Sequence, residues 1–476
     1  MTEPAPRKAK RLVFCFDGTW NQLSADRPTN VVQLAQMVVP ITRDGTPQIV
    51  YYDEGIGTNM NRLLRLRDGA FGRGMLKILR EAYRFLIFNY EPGDEIFAFG
   101  FSRGAYTARS FVGFIRHAGI LAVDNATVID QAIAIYRGAD AGSGIESPAG
   151  LEFRAKYCPG VCVSAADRDY RKAKLPGFDP EKVPILTIRY LGVWDTVSAL
   201  GLPDFIPGAK LFNAKHGFHN AVLTSKIKAA RHAVAIDELR PTFRATLFSK
   251  AKVDELNARL RRKGEAPMPD WLPPYQEKWF PGVHGAVGGG GGLHGLSDGT
   301  LEWVLQGARR AGLELRGQID HPGFRLRPDP FEPVFNEPKV PLLRRGPIGW
   351  LRSLPGPRQG PTSLTELALP ALRRWHADPA RLPERKPYRP GALAGLADKI
   401  DNWPYRSPPE WKGAEAVKLE DYAIRQGDTL GKLAKIRLGD RKRWKELFEL
   451  NRDRIDDPDA LAIGLEIRLP VITPPV

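Results

Sequence analysis

Residues 100–104 read Gly100-Phe101-Ser102-Arg103-Gly104, with the apolar run Ile96–Phe99 before them and a helical stripe after. Strand, Gly-x-Ser-x-Gly and helix are the parts of a nucleophile elbow. The turn is too tight for side chains where strand and helix approach, which accounts for the glycines. It would hold the Ser102 hydroxyl exposed at the carboxyl edge of a sheet. The following helix would aim N–H groups and its positive dipole end at a developing oxyanion. A serine at its own pKa is a weak nucleophile, so a histidine base and an orienting carboxylate are also required. The alternative for Ser102 is a plain structural turn.

The usual order in such hydrolases is Ser, then Asp or Glu, then His. Asp195 ends the strand-like segment YLGVWD, and His284 ends WFPGVH ahead of the flexible-looking GAVGGGGG. Ser102, Asp195 and His284 therefore form the expected triad. Asp195 also reads as a strand-terminal turn or cap, and His284 as a satisfied loop histidine. His232 is expected on a helix, ARHAVAIDE, with Asp237 five residues on; it is the second choice of base or a supporting residue. The segments Asp17-Gly18-Thr19 and Gly55-Ile56-Gly57 follow two further strands. Their backbone N–H groups, with that of Arg103, are candidates for the oxyanion hole or for substrate contact. Asp17 reads equally as a triad acid or a structural cap.

To meet, these residues need a sheet whose carboxyl edge collects several loops. From residue 11 to about 313 strand-like and helix-like segments alternate: RLVFCFDG, PQIVYYDEG, GMLKILREAYRFLIFNY, GDEIFAFG, AYTARSFVGFIRHAG, ILTIRYLGVWDT, HNAVLTSKIKAARHAVAIDE (read as helix) and KWFPGVH. SDGTLEWVLQGARRAG closes the series as a helix with Ser297 as N-cap. Such alternation predicts an α/β fold with a mostly parallel sheet covered by helices on both faces. The proline- and arginine-rich stretch from about 314 contains one clear helix, SLTELALPALRRW. The expected organisation is a tail (1–10), a catalytic domain (11–398) with an extension wrapped on it (314–398), a linker (399–419) and a small C-terminal domain (420–471).

The chain has 476 residues, 43% apolar and 26% charged, as soluble globular proteins have. LVFCF is too short for a signal-peptide core and runs into Asp17, and no apolar run is long enough to span a bilayer. The expectation is synthesis in the cytoplasm, and any export would need a route without a classical signal. Three cysteines give no disulfide framework, and Cys158 and Cys162 lack a second ligand pair for zinc. The net charge of +16 comes without nucleic-acid motifs and points to an anionic membrane surface. Residues 341–354, PLLRRGPIGWLRSL, mix apolar and arginine side chains and are expected to touch that surface or to form a packed strap.

FDGTWN, GIGT, GFSRGAYTAR, GVWDTV, HAVAIDELRPTF and WFPGVHGAVGGG…LSDGTLEWV together resemble the motif series of the type VI secretion phospholipase-effector family, over roughly residues 11–395. The resemblance implies an α/β-hydrolase domain acting on glycerophospholipid esters and toxic to bacterial membranes, with Ser102 as nucleophile. It implies no cofactor, and brings a secretion apparatus and an immunity protein as partners. Ala286 stands where the family usually has Asp, and Gly291 where it has Tyr. The tail, DYAIRQGDTLGKLAKIRLGDRKRWKELFELN…IDDPDALAIGLEIRLP, resembles a LysM module. That implies strand, two helices and strand, with Leu433, Trp444 and Leu447 in the core. It further implies peptidoglycan binding near Gly427, Asp428, Thr429 and Leu430 and between Asp457 and Ile463. The alternative for the whole chain is a non-catalytic hydrolase-fold adaptor anchored to the cell wall or to a secretion or phage-like particle through the LysM. Ala286 is the feature that favours it.

Overall fold

The computed structural model describes residues 8–18, 28–55, 70–138, 144–197, 223–240, 243–262, 273–316, 326–335, 358–402, 419–438, 441–451, 454–455, 458–459 and 461–470. Six strands form one parallel sheet: β1 (Arg11–Phe16), β2 (Gln48–Asp53), β3 (Glu95–Phe101), β4 (Ile188–Trp194), β5 (Ala230–Ala235) and β6 (Tyr275–Phe280). Their order is β2-β1-β3-β4-β5-β6, an α/β-hydrolase-like sheet. Central strands of such a sheet are covered on both faces, so they read as unbroken apolar runs. EIFAFGF in β3 is one, buried at every position after Glu95.

Alternation along β1 assigns the two faces. Leu12, Phe14 and Phe16 meet Leu79, Tyr83, Phe111 and Ile115 from the helices Ala70–Asn89 and Arg103–Ala118. Val13 and Cys15 meet Val31, Leu34, Leu301 and Val304 from the helices Asn30–Met37 and Gly295–Arg310. Each fully buried side chain of this size contributes about 1.5–3 kcal/mol. The order reverses direction between β1 and β3, where the chain leaves the sheet towards opposite sides. In open α/β sheets the crevice at that carboxyl edge is where ligands bind.

A third cluster joins the far strands to the C-terminal extension. Val234, Ile236 and Trp279 are covered by Leu367, Ala371, Leu372, Trp375, Leu393 and Ile400. The Ala368 N–H donates to the Trp279 carbonyl at 3.0 Å. Residues 358–402 are therefore fastened to β5 and β6.

Four local expectations are corrected. The stretch expected as a helix through His232 is irregular from 223 and then becomes β5. Alanine favours helix, but Ala230, Ala233 and Ala235 are small residues wedged between β4 and β6, and pairing on both sides overrides propensity. WFPGVH is not one strand: β6 ends at Phe280, and His284 opens the short helix His284–Gly288 within the glycine-rich stretch. Ser297 lies inside the first turn of its helix, donating to the His294 carbonyl at 3.0 Å, and His294 takes the cap position. SLTELALPALRRW splits into a 3-10 turn, Leu364–Glu366, and a helix, Leu369–Trp375, because Pro370 suits only the first turn of a helix. Residues 341–354 lie outside the described residues.

The C-terminal unit runs β7 (Leu419–Ala423), helix Leu430–Leu438, helix Trp444–Leu450 and β8 (Glu466–Pro470). The two strands pair antiparallel, Tyr422 opposite Ile467. Leu430, Leu433, Leu447, Ile455, Ile467 and Leu469 are buried between them, while Trp444 packs at the margin half-buried.

Candidate active site

Register brings the first two side chains together. Phe101 at the end of β3 is opposite Trp194 at the end of β4, so Ser102 and Asp195 leave adjacent strands at one level. The Ser102 N–H donates to the Trp194 carbonyl at 3.0 Å, and the Asp195 N–H to the Ala233 carbonyl of β5 at 2.7 Å. Ser102 has φ 60° and ψ −123°, a strained conformation for any residue but glycine. The elbow glycines are there for sterics. A Cβ on Gly100 would lie 2.4 Å from the Gly104 carbonyl oxygen, and one on Gly104 would lie 2.2 Å from that of Phe16. Only glycine lets the helix Arg103–Ala118 start this close to β1.

His284 arrives from β6. Gly282 and Asp237 clasp the ends of β6 and β5: the Asp237 N–H donates to the Gly282 carbonyl at 3.1 Å, and the Gly282 N–H to the Asp237 carboxylate at 2.7 Å. His284 Nδ1 then lies 2.6 Å from Asp195 Oδ2, and Nε2 lies 2.8 Å from Ser102 Oγ. The carboxylate can only accept, so Nδ1 carries the proton. Nε2 is left with its lone pair towards the serine hydroxyl. Phe101 and Phe243 flank the imidazole at ring-centroid distances of 4.6 and 4.8 Å. Ser102 and His284 are each 7% exposed and Asp195 not at all. Chemically, such an arrangement can serve a serine nucleophile, a general base and its orienting acid.

Asp195 is buried, which by itself opposes its ionisation. The adjacent Arg358 charge, with hydrogen bonds from His284 and Arg358, outweighs burial and holds the carboxyl well below the usual carboxylate range. Arg358 Nη1 is 2.7 Å from Oδ1 and Nη2 is 2.9 Å from Oδ2, and Oδ1 also accepts from the Ala235 N–H at 2.9 Å.

The other sequence candidates fall elsewhere. Asp17 is not beside the histidine. Its carboxylate accepts from the Gly18 N–H at 2.6 Å, Thr29 Oγ1 at 2.6 Å and Tyr52 Oη at 3.0 Å, and so braces the loop after β1. Gly18, Gly55 and Arg103 gather at the same edge. Gly55 is pressed on the Asp17 and Gly18 backbone, and Arg103 opens the helix behind Ser102. Thr19 and Gly57 lie outside the described residues.

His232 is on β5, fully buried, and not in contact with Ser102. Its Nδ1 is 2.7 Å from Glu277, and its Nε2 accepts from the Thr196 N–H at 3.1 Å. That fixes the Nδ1–H tautomer and anchors the turn that carries Asp195. Asp237 accepts from Tyr388 Oη at 2.7 Å as well as from Gly282. Ala286 is buried in the turn after His284, and the carboxylate on Nδ1 comes from Asp195 instead.

In the C-terminal unit Gly427 has φ 84°, Asp428 accepts from Tyr422 Oη and the Arg425 N–H, and the Thr429 hydroxyl caps the following helix. Leu430 belongs to the core, Ile463 is 70% exposed, and Asp457 lies outside the described residues.

Sequence reasoning missed Arg358, Glu238 and Glu277. Glu238 accepts from the His284 N–H at 3.2 Å and is paired with Arg240. Glu277 carried a signal, a charge inside the strand YQEKWF. Arg358 carried none, standing among 70 lysines and arginines in a proline-rich stretch. Among the described residues no cluster of His, Cys, Asp or Glu could hold a metal, and Cys158 and Cys162 are each buried and free.

A yeast relative, the uncharacterized protein YEL023C of Saccharomyces cerevisiae, is 26% identical over 253 residues, half of this chain and 33% of the yeast protein. A solved structure of the Tle1 effector bound to the VgrG spike of the type VI secretion system aligns with a TM-score of 0.32 at 19% identity, over 60% of this chain and 52% of that one. An uncharacterized Pseudomonas aeruginosa protein aligns with a TM-score of 0.36 at 15% identity, over 96% of this chain and 75% of that one. Residues 10–307 match the model of the type VI secretion phospholipase effector Tle1-like catalytic domain, and the chain belongs to that family.

Proposed function

We propose that this chain is a serine carboxylic-ester hydrolase acting on glycerophospholipids, with Ser102, His284 and Asp195 as its triad. The observation that carries the reading is the continuous path from Ser102 Oγ through His284 to Asp195, at 2.8 and 2.6 Å, on a strained elbow. His284 Nε2 takes the hydroxyl proton as Oγ attacks the acyl carbonyl. The Arg103 N–H and the helix N-terminus stabilise the oxyanion. Asp195 stabilises the imidazolium that forms. His284 then gives its proton to the leaving glycerol oxygen, and water, activated by the same base, releases the fatty acid. Membership of a phospholipase-effector family supports a phospholipid substrate, delivery by a type VI secretion apparatus and a neutralising immunity partner in the producing cell. The net charge of +16 suits an anionic lipid surface.

The C-terminal unit is read as a LysM module that holds the enzyme near peptidoglycan. Its strand–helix–helix–strand order and the cadence of the sequence support this. Of the expected glycan contacts Ile463 is well exposed, whereas Asp428 and Leu430 hold the module itself together. Retention at the wall would raise the effective concentration beside the membrane.

A fluorophosphonate probe tests the catalytic reading, since it labels only an activated serine. The expected result is one adduct on Ser102, lost in Ser102→Ala and His284→Ala. An unlabelled wild-type chain would instead support the adaptor alternative.

A further inference from the structure

We infer that Arg358 is a positioning residue of the triad, supplied by the C-terminal extension from outside the matched catalytic segment 10–307. The inference rests on the hydrolase reading of Ser102, Asp195 and His284.

The guanidinium makes a two-pronged contact, one nitrogen to each Asp195 oxygen. Such a fork fixes the carboxylate in its plane as well as in its place. The same two nitrogens donate to the backbone, Nη1 to the Ala235 carbonyl at 3.0 Å and Nη2 to the Phe243 carbonyl. Those carbonyls belong to the end of β5 and to the loop that sets Phe243 against the His284 ring. Arg358 thus ties together the acid, its strand and one wall of the base. Its side chain is 5% exposed, so this is a desolvated pair and not a surface ion pair. Without it Asp195 keeps two donors, the Ala235 N–H and His284 Nδ1.

Among the described cations only Arg358 touches the carboxylate that holds His284 Nδ1, while Glu238, which lies on the His284 backbone, is paired with Arg240.

The test follows the low-field Nδ1–H proton resonance of His284 in the full chain at fixed pH, assigned by its loss in His284→Asn, alongside kcat and KM on a soluble ester. Wild type, Arg358→Met and Arg358→Lys are compared. In Arg358→Met the resonance should move or broaden as Asp195 loses its clamp, and the kcat should fall by about 10–100-fold at little change in KM, since Arg358 does not reach the substrate. Arg358→Lys keeps the charge and loses the fork, so its kcat should fall as well. Should Arg358→Met fail to fold, Arg358→Lys decides: a wild-type kcat there overturns the inference. An unmoved resonance in folded Arg358→Met overturns it equally. A wild-type chain without esterase activity would count against the hydrolase reading, and the resonance would still decide on Arg358.

Discussion

Replacing Asp195 with asparagine changes one atom and removes one charge at a site with no solvent exposure. Two effects follow, and they separate. The first is chemical. An asparagine can turn its amide nitrogen towards His284 Nδ1 and so favour the tautomer protonated at Nε2, which cannot accept the Ser102 proton 2.8 Å away. Wrong-tautomer triads lose on the order of 10^4 in kcat. The second is a matter of stability. Arg358, 5% exposed, would lose its carboxylate and remain a buried charge beside two carbonyls. Breaking a buried pair by removing one partner costs about 3–5 kcal/mol. Removing both charges, in Asp195→Asn with Arg358→Met, relieves that penalty by about 1–3 kcal/mol but leaves the tautomer wrong. Urea denaturation and kcat/KM on a soluble ester, measured on the single and double variants, should show stability partly restored and activity not. A single variant within tenfold of wild-type activity would refute the tautomer argument. A double variant no more stable than Asp195→Asn would refute the account of the pair.

Gly104→Ala should destabilise the chain by about 1–3 kcal/mol or more and depress kcat, because its Cβ would meet the backbone of β1 and push the helix away from Ser102; thermal melts with activity check this. Burial raises the Asp237 carboxyl to about 6, above its 3.8 reference, against the hydrogen bonds from Gly282 and Tyr388 that favour its ionised form. The folded chain therefore binds that proton more tightly than the unfolded one. The resulting stability is complete below about pH 4 and lost as pH rises through about 6, on the order of 3 kcal/mol at most. Stability of wild type relative to Asp237→Asn should fall over that window, and a flat difference would contradict the burial argument. In the C-terminal unit Leu447, fully buried, should cost about 2–5 kcal/mol when cut to alanine, and half-buried Trp444 less. Limited proteolysis of the full chain would report the order, and equal susceptibility would count against it.

What the sequence carried, and what it did not, divides along physical lines. The strands β1, β3 and β4 were legible because central parallel strands must be apolar throughout, and the elbow because close backbone approach admits only glycine. Residues 195 and 284 could be nominated because each follows a strand end, although no spacing in the chain encodes their 2.6 Å meeting. β5 was misread because alanine-rich sequence favours helix locally, and only its neighbours on both sides make it a strand. Arg358 was invisible for a related reason. Its role comes from the path of an extension that joins the core through Leu367, Leu372 and Trp375, and nothing near residue 358 marks which arginine will turn inward.

The most direct test of the central claim is fatty-acid release from vesicles of phosphatidylethanolamine and phosphatidylglycerol by the purified full chain, compared with Ser102→Ala. The account predicts turnover by the wild type and a loss of about 10^3-fold or more in the variant, with the fold unchanged by circular dichroism. Equal release by both proteins, or release by neither while the wild type is folded, would contradict it.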